Sequence, residues 1–337
     1  MVAKCGKYTR RLENPPSIIS YAAAASKKEG EGPLGAGIDR VTDDALFGQT
    51  SWEKAESELQ KQAAEIALTK AGLTAPQIDY IFAGDLLNQC IGSHYGMREL
   101  GIPFIGLYGA CSTMAESLAM SAFFVGCGIA QHTLALTSSH FCASERQFRF
   151  PLEYGGVRTP TAQWTVTGAG AVVLAQSSMP PYIRAVTIGT IEDKGITDIS
   201  NMGAAMAPAA AETISRFLRD TNTAPGDYDL ILTGDLAAVG SELLVQILKL
   251  DGIDISKNHS DCGLMIYDRE RQKVDAGGSG CGCAATVLCA HILPQMRKGN
   301  LNNVLFCATG ALMSTTSIQQ GESIPGIAHL IHLTNEV

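Results

Sequence analysis

Two stretches of the chain carry apolar residues at helical spacing, and each is followed by a short apolar run typical of a buried strand. The first helix is predicted over 52–70, and four apolar residues mark its buried side: Ala55, Leu59, Ala63 and Ile66. Thr50 and Glu53 form a capping box at its start, and Gly72 is placed to end it. The second helix is predicted over 206–219, with a buried side formed by Ile214, Phe217 and Leu218.

One phrase of the sequence occurs twice. Residues 74–86, which read TAPQIDYIFAGDL, recur over 223–236 as TAPGDYDLILTGDL. Each copy follows one of the two helices and is itself followed by a small-residue helix that opens at a cysteine, Cys111 or Cys281. The next predicted strand begins at the same distance from each cysteine. A matched phrase with matched downstream spacing indicates an internal duplication.

The order helix, strand, buried helix and strand therefore occurs twice, which predicts an α/β fold built from two tandem copies of one unit. We assign the first copy to residues 1–177 and the second to 178–337. Residues 110–130 carry no charged side chain apart from Glu116. Such a helix is typical of a position between two sheets, so we expect buried central helices between mixed sheets.

Composition narrows the class of protein. The chain is 46% hydrophobic and 17% charged, which is a globular profile, and its net charge of −8 without a basic block argues against nucleic-acid binding. Most of the ten cysteines lie in apolar or small-residue runs, as expected in a reducing compartment. The apolar run over 119–130 is too short to span a bilayer, and charges interrupt the start of the chain. We expect synthesis in the cytoplasm, with any membrane association made through a partner.

Several short motifs resemble those of known families. Residues 108–113 (YGACST), residues 167–174 (TGAGAVVL) and the duplicated layout resemble the thiolase and ketoacyl-synthase superfamily. Within it, phrases along the whole chain resemble the stage V sporulation AD family of endospore-forming bacteria: GPLG at 32–35, AGDLLNQ at 83–89, GIPF at 101–104, ERQFR at 145–149, EYGG at 153–156, MGAAMAPAAA at 202–211, DCGL at 261–264 and GSGC at 278–281.

This resemblance implies a thiolase-like fold and a role in moving dipicolinic acid, with calcium, into and out of the spore during sporulation and germination. It implies a soluble subunit, made in the forespore, that binds the ligand and docks on integral-membrane proteins of the same channel complex at the spore inner membrane. The fold family also implies a homodimer. No cofactor is expected, and Ca²⁺ is expected only as part of the dipicolinate ligand.

Cys111 stands where the superfamily carries its nucleophile, but the partners that condensation needs are missing. One partner follows the strand over 230–234, where this chain has Asp235. The other lies near the start of the second buried helix, over 278–281. An aspartate beside a thiol raises the thiol pKa, so we do not expect a condensing enzyme. Two interpretations stay open: a residual acyl-transfer nucleophile that uses His140, or a small residue that lines a ligand pocket.

Dipicolinate is a flat pyridine with two carboxylates, and its site needs hydrogen-bond donors and positive potential. Arg146 and Arg149 are the arginine candidates, with a surface or dimer-contact segment as the alternative. His140 is interpreted either as a donor to the anion or as a structural histidine. The helix starts at Cys111 and Cys281 add backbone N–H donors.

Further candidates flank these helix starts. Ser279 is a further ligand candidate at the start of the second buried helix, and Gly278, Gly280 and Gly282 would let the backbone approach a ligand closely. Asp85 and Asp235 end the twinned strands, where they either hold Ca²⁺ beside the ligand or cap the helices that follow. A single C-x-C at 281–283 is weak as a zinc signal, so no metal site is predicted.

Overall fold

The computed structural model describes residues 2–148 and 158–337. Its strands are β1 Val2–Cys5, β2 Thr9–Leu12, β3 Ser17–Ser26, β4 Arg40–Thr42, β5 Tyr80–Gly84, β6 Phe104–Gly106, β7 His132–Ser139, β8 Trp164–Thr165, β9 Gly168–Ala175, β10 Tyr182–Thr187, β11 Leu230–Thr233, β12 His259–Asp261, β13 Gly278–Ser279, β14 Asn303–Ala311 and β15 Gly326–Thr334. The helices are α1 Lys27–Gly30, α2 Trp52–Ala71, α3 Ile91–Met97, α4 Thr113–Gly126, α5 Phe141–Phe148, α6 Met202–Thr221, α7 Ala237–Leu250, α8 Cys262–Met265, α9 Arg269–Gln272, α10 Cys281–Val287, α11 Leu293–Arg297 and α12 Thr315–Gln319.

The strands form one long mixed sheet with the order β12-β11-β14-β15-β10-β3-β9-β7-β5-β6. This order has an internal symmetry, because β6-β5-β7-β9-β3 in the first half corresponds to β12-β11-β14-β15-β10 in the second. The halves meet along β10, which pairs with β3 at Tyr182 opposite Ser17 and with β2 at three further pairs, Ala185–Arg11, Val186–Arg10 and Thr187–Thr9. The α/β fold class with two tandem copies of one unit is therefore confirmed, although the half-sheets join into one sheet. The predicted boundary at 177/178 falls in the connection between β9 and β10.

The two small-residue helices lie at the centre of the molecule. Helix α4 packs against β5 and β7 of the first half and against β14 and β15 of the second, while α10 packs against β7 and β9. Met114, Leu118 and Ala122 of α4 are fully buried, as are Cys283 and Ala284 of α10. The prediction of buried central helices is correct, and the reason is physical: small side chains let a helix approach a sheet closely on more than one side.

The helix boundaries differ in detail from those predicted. Ser51, not Thr50, caps α2 and accepts a hydrogen bond from Lys54 N at 3.4 Å, while Gly72 ends the helix in the left-handed conformation as expected. Helix α6 begins at Met202, four residues before the predicted start. After Met202 its first turn is made of Gly203, Ala204 and Ala205, whose small side chains give no clear apolar period. Within the described residues, none of the helices has both the length and the apolar composition needed to cross a membrane.

Candidate functional site

A cleft of about 470 Å³ opens beside Cys111, where the first and second halves of the chain meet. Its walls combine apolar surface with hydroxyl, amide and carboxyl groups from both halves. The polar lining residues include Asp85, Asn88, Tyr108, Ser144, Glu145, Gln147, Gln163, Thr165, Ser200, Ser279, Ser314 and Ser317. The sequence predicted a cleft between the halves at this cysteine, and the geometry contains one.

A short two-stranded sheet joins the two walls of the cleft. Strand β8 pairs in parallel with β13, so that Trp164 lies opposite Gly278 and Thr165 opposite Ser279. Thr165 and Ser279 both line the cleft. This pairing holds a segment of the first half against the start of α10 and fixes the width of the cleft at its inner end.

Cys111 sits in a one-turn 3₁₀ helix, Ala110–Ser112, which precedes α4. Ala110 has a φ of 49°, and a Cβ on Gly310 of β14 would lie 2.5 Å from the carbonyl oxygen of Gly109. Only glycine at position 310 therefore lets β14 pack against the turn. The turn presents Cys111 to the cleft with 6% of its surface exposed.

The environment of Cys111 favours a neutral thiol. Burial is the main cause that raises its pKa well above the ordinary value, and the nearby Asp235 carboxylate and the Cys281 thiol raise it further. The thiolate is the nucleophilic form of cysteine. Because this arrangement disfavours deprotonation of the Cys111 thiol, it also disfavours Cys111 as a nucleophile.

Asp235 is buried and connects three separate parts of the second half. Its carboxylate accepts hydrogen bonds from Gly280 N at 2.8 Å, Thr309 Oγ1 at 2.9 Å and Ser279 Oγ at 3.2 Å. It therefore stabilises the start of α10, which is distant in sequence. The prediction that it caps the helix after it, α7, is wrong.

Asp261 performs that role instead. It accepts hydrogen bonds from Leu236 N at 2.9 Å and Ala237 N at 2.8 Å, at the start of α7. Its side chain also accepts a bond from Gly263 N at 2.9 Å. One carboxylate thus holds the starts of α7 and α8 together, whereas Asp235 bonds to the start of α10, is fully buried and does not line the cleft.

Asp85 does cap the helix that follows it. Its carboxylate accepts hydrogen bonds from Leu87 N at 2.8 Å and from both the backbone N–H and the hydroxyl of Ser93 at 2.7 Å. Asp85 also lines the cleft. The twinned aspartates are therefore used differently, and each already has several donors. Across residues 2–148 and 158–337, no three or more His, Cys, Asp or Glu side chains are grouped so that they could hold a metal ion.

The other predicted ligand residues in the described part of the chain do not line the cleft. His140 Nε2 lies 2.8 Å from Ala45 O, and the ring is buried away from the lining of the cleft. Arg146 forms an ion pair with Glu53 and covers the ring of Trp52, and it does not line the cleft either. Arg149 lies outside the described residues. Gly280 and Cys281 lie behind Ser279, with the Cys281 thiol 2.9 Å from Ser138 O.

Arg158, which lies next to the cleft, was not predicted from the sequence. Arg158 Nη2 donates to Glu145 Oε1 at 3.0 Å, and its Nη1 donates to Gln163 O at 3.1 Å. The guanidinium also covers the ring of Trp164. Glu145 and Gln163 line the cleft, and Arg158 behind them compensates the charge of the Glu145 carboxylate. Glu145 lies in the motif ERQFR at 145–149, which carries part of the family resemblance. Arg158 and Gln163 lie in a segment without a hydrophobic period, so no pattern pointed to them.

The comparisons with known proteins agree with this architecture. The profile of the family described as Stage V sporulation protein AD (SpoVAD) matches residues 6–334. The chain is also 50% identical over 324 residues to Stage V sporulation protein AD of Bacillus subtilis (strain 168), which covers 96% of each chain. The chain belongs to this family.

Solved structures resemble the fold of this family member at low sequence identity. 3-Oxoacyl-[acyl-carrier-protein] synthase III from Aquifex aeolicus VF5 has a TM-score of 0.58 and 15% identity, over 95% of this chain and 99% of that one. Human mitochondrial 3-ketoacyl-CoA thiolase in complex with CoA has a TM-score of 0.59 and 14% identity, over 97% and 99%. The fold is therefore thiolase-like, as predicted, while the family is named for sporulation and not for an enzymatic activity.

Proposed function

We propose that this sporulation protein binds dipicolinic acid in the cleft beside Cys111 and acts as a non-catalytic subunit in the uptake and release of dipicolinate by the spore. The single observation that carries the proposal is the buried Asp235 carboxylate beside Cys111, which a hydrogen bond from Gly280 N at 2.8 Å holds in place. Where a condensing enzyme needs a group that activates the thiol, this chain has a buried carboxylate that keeps it neutral.

The chemistry of the cleft supports a small polar ligand. A volume of about 470 Å³ falls within the range of small-molecule sites. Hydroxyl and amide groups such as Ser144, Gln147 and Ser200 supply hydrogen-bond donors for the two carboxylates of dipicolinate. Arg158 pairs with Glu145 and so compensates the carboxylate that faces the cleft.

Isothermal titration of the purified protein with dipicolinate, with and without CaCl₂, tests this proposal. Ser200→Trp should fill the cleft and abolish binding. Ser256→Trp is the matched control, because each serine N–H donates to an aspartate two residues earlier, at 2.9 Å for Ser200 and 3.0 Å for Ser256. Ser256 does not line the cleft. Equal binding by both variants, or no binding by the wild type up to millimolar ligand, would disprove the proposal.

The alternative function is acyl transfer from an acyl-CoA with Cys111 as the nucleophile. It is favoured by the position of Cys111 and by the likeness of the fold to condensing enzymes. Mass spectrometry after incubation with a series of acyl-CoAs distinguishes the two functions. We expect an unmodified Cys111; a stable acyl adduct that is lost in Cys111→Ser would support the alternative.

We also propose that the protein forms a homodimer and that it docks on membrane proteins. Strand β6 ends the sheet and has β5 as its neighbour, so pairing of β6 with its copy in a second chain would extend the sheet across a homodimer. We further propose that the protein docks on integral-membrane partners at the spore inner membrane. Light scattering of the purified protein tests the dimer, and co-purification with the membrane proteins of the sporulating cell tests the docking.

A further inference from the structure

The buried carboxyl groups of Glu56 and Asp85 lie near each other beside Gly92, and Asp85 lines the cleft. A Cβ built on Gly92 would lie 3.2 Å from the carboxyl carbon of Asp85 and 3.4 Å from that of Glu56, so both groups border the same point. Glu56 is fully buried on α2, whereas Asp85 is 4% exposed and lines the cleft. Two like charges this close in a dry site repel strongly, and one of the pair then tends to bind a proton.

A chain of hydrogen bonds connects the two groups. The amide nitrogen of Gln60 donates to Ser93 Oγ at 3.0 Å and to Ser138 Oγ at 3.1 Å. Ser93 Oγ donates to Asp85 at 2.7 Å, and Ser138 Oγ donates to Glu56 Oε1 at 3.1 Å. The two acids are therefore held at the ends of one network rather than placed independently.

The donors are divided unequally between the two acids. Asp85 receives three hydrogen bonds, two of them from backbone N–H groups, which stabilise its charged form. Glu56 Oε2 is buried and has no hydrogen-bond partner among residues 2–148 and 158–337. A buried carboxylate oxygen without a donor is costly, and a proton on that oxygen removes most of the cost.

In the part of the chain that the structure describes, the charged neighbours that act on Glu56 are carboxylates. Asp85 and Glu53 face it and raise its pKa beyond the effect of burial, while the hydroxyl of Ser138 and the backbone of His140 lower it. The Cys281 thiol lies near both acids, and His94 lies beside Asp85. A metal ion such as Ca²⁺ needs six or more oxygen ligands, which two carboxylates do not provide, whereas a proton needs one.

We propose that Glu56 and Asp85 form a shared-proton site that holds one proton at neutral pH, and that an anion in the cleft draws a second proton onto the pair. Asp85 is the member that an anionic ligand meets, so a bound anion raises the proton affinity of the pair. The effect of the anion rests on the proposed dipicolinate binding, whereas the presence of one proton on the pair at neutral pH does not. Ligand binding then becomes stronger as the pH falls.

Infrared spectroscopy tests the proton itself without any ligand. The difference spectrum between the wild type and Glu56→Gln should contain the carbonyl stretch of one protonated carboxylic acid at neutral pH, shifted in D₂O. Glu58→Gln, on the same helix at a half-buried position, should give no such band. If only the spectrum of an ionised carboxylate is lost in Glu56→Gln, the shared proton does not exist. Titration of the wild-type band alone keeps the test valid should Glu56→Gln not fold.

Calorimetry tests the coupling to the ligand. Dipicolinate is titrated in two buffers of different ionisation enthalpy, which reports the number of protons taken up. We expect net proton uptake by the wild type and less uptake by Glu56→Gln. Binding without proton uptake in the wild type overturns the coupling. Absence of binding would refute the proposed function instead. The infrared measurement would still show whether the pair of Glu56 and Asp85 holds a proton.

Discussion

Asp235 accepts a hydrogen bond from the backbone N–H of Gly280 at 2.8 Å, and this contact fixes a carboxylate beside Cys111. The same side chain that stabilises the start of α10 therefore also suppresses ionisation of the thiol. Structural and chemical effects cannot be separated at this position, because one carboxylate produces both. The groups that surround Cys111 thus oppose formation of the thiolate that the sequence resemblance alone would lead one to expect.

The first prediction concerns the reactivity of Cys111. Iodoacetamide at mildly alkaline pH should alkylate the exposed Cys127 at least about tenfold faster than Cys111, because only the thiolate reacts. Asp235→Asn removes the charge that raises the pKa of Cys111, so the gap between the two cysteines should narrow. Peptide mass spectrometry over time measures both rates. Equal rates in the wild type would contradict the neutral thiol.

The second prediction compares two arginines that each pair with a glutamate. Arg158→Gln should weaken dipicolinate binding by about tenfold, because it leaves the Glu145 carboxylate at the cleft wall without its compensating cation and that charge repels the anion. Arg146→Gln, which loses an ion pair with Glu53 away from the cleft, should leave the affinity within about twofold. Titration calorimetry of both variants gives the result. The opposite order would restore Arg146 as the ligand arginine.

The third prediction concerns the contact between α10 and the first half. A Cβ on Gly282 would lie 2.3 Å from the carbonyl oxygen of Gly168, which is backbone and cannot move alone. Gly282→Ala should therefore cost about 2–3 kcal/mol of stability. Gly226→Ala is the control: nothing lies within 4 Å of its Cβ, and the change should stay within about 0.5 kcal/mol. Chemical denaturation of both variants measures the difference, and similar losses would refute the packing argument.

The fourth prediction is a pH dependence of stability. Burial lowers the pKa of His329 to about 4, below the value of about 6.5 in an unfolded chain. As the pH falls, the unfolded state binds the proton first, so the contribution of neutral His329 is complete above about pH 6.5 and is lost towards pH 4. His329→Gln keeps an acceptor for Gly189 N but does not titrate.

The free energy of unfolding of wild type and His329→Gln should therefore converge at low pH. The wild type should lose up to about 1.4 kcal/mol per pH unit relative to the variant below about pH 6.5. Between neutral and mildly alkaline pH the difference should be constant, which serves as an internal control. A difference that does not change on acidification would show that His329 is not held neutral by burial.

The sequence by itself determined the duplication, the α/β class and the position of Cys111. These features are local or periodic: the phrase over 74–86 recurs, helix α2 repeats its apolar side, and the stretch over 110–130, with Glu116 as its one charged residue, predicts a buried helix. Periodicity reports which face of an element leaves water, and repeats report which elements correspond. Both signals are complete within short stretches of the chain.

The tertiary structure alone decided which polar groups meet. Asp235 and Gly280 are 45 positions apart, and Ser138 and Glu56 are 82 apart, so no spacing in the sequence joins them. Twin aspartates at twin strand ends acquired different partners, because the segments that fold over them differ between the halves. A carboxylate binds whichever donors the packing brings within reach, and that choice depends on the arrangement of the whole chain rather than on any local pattern.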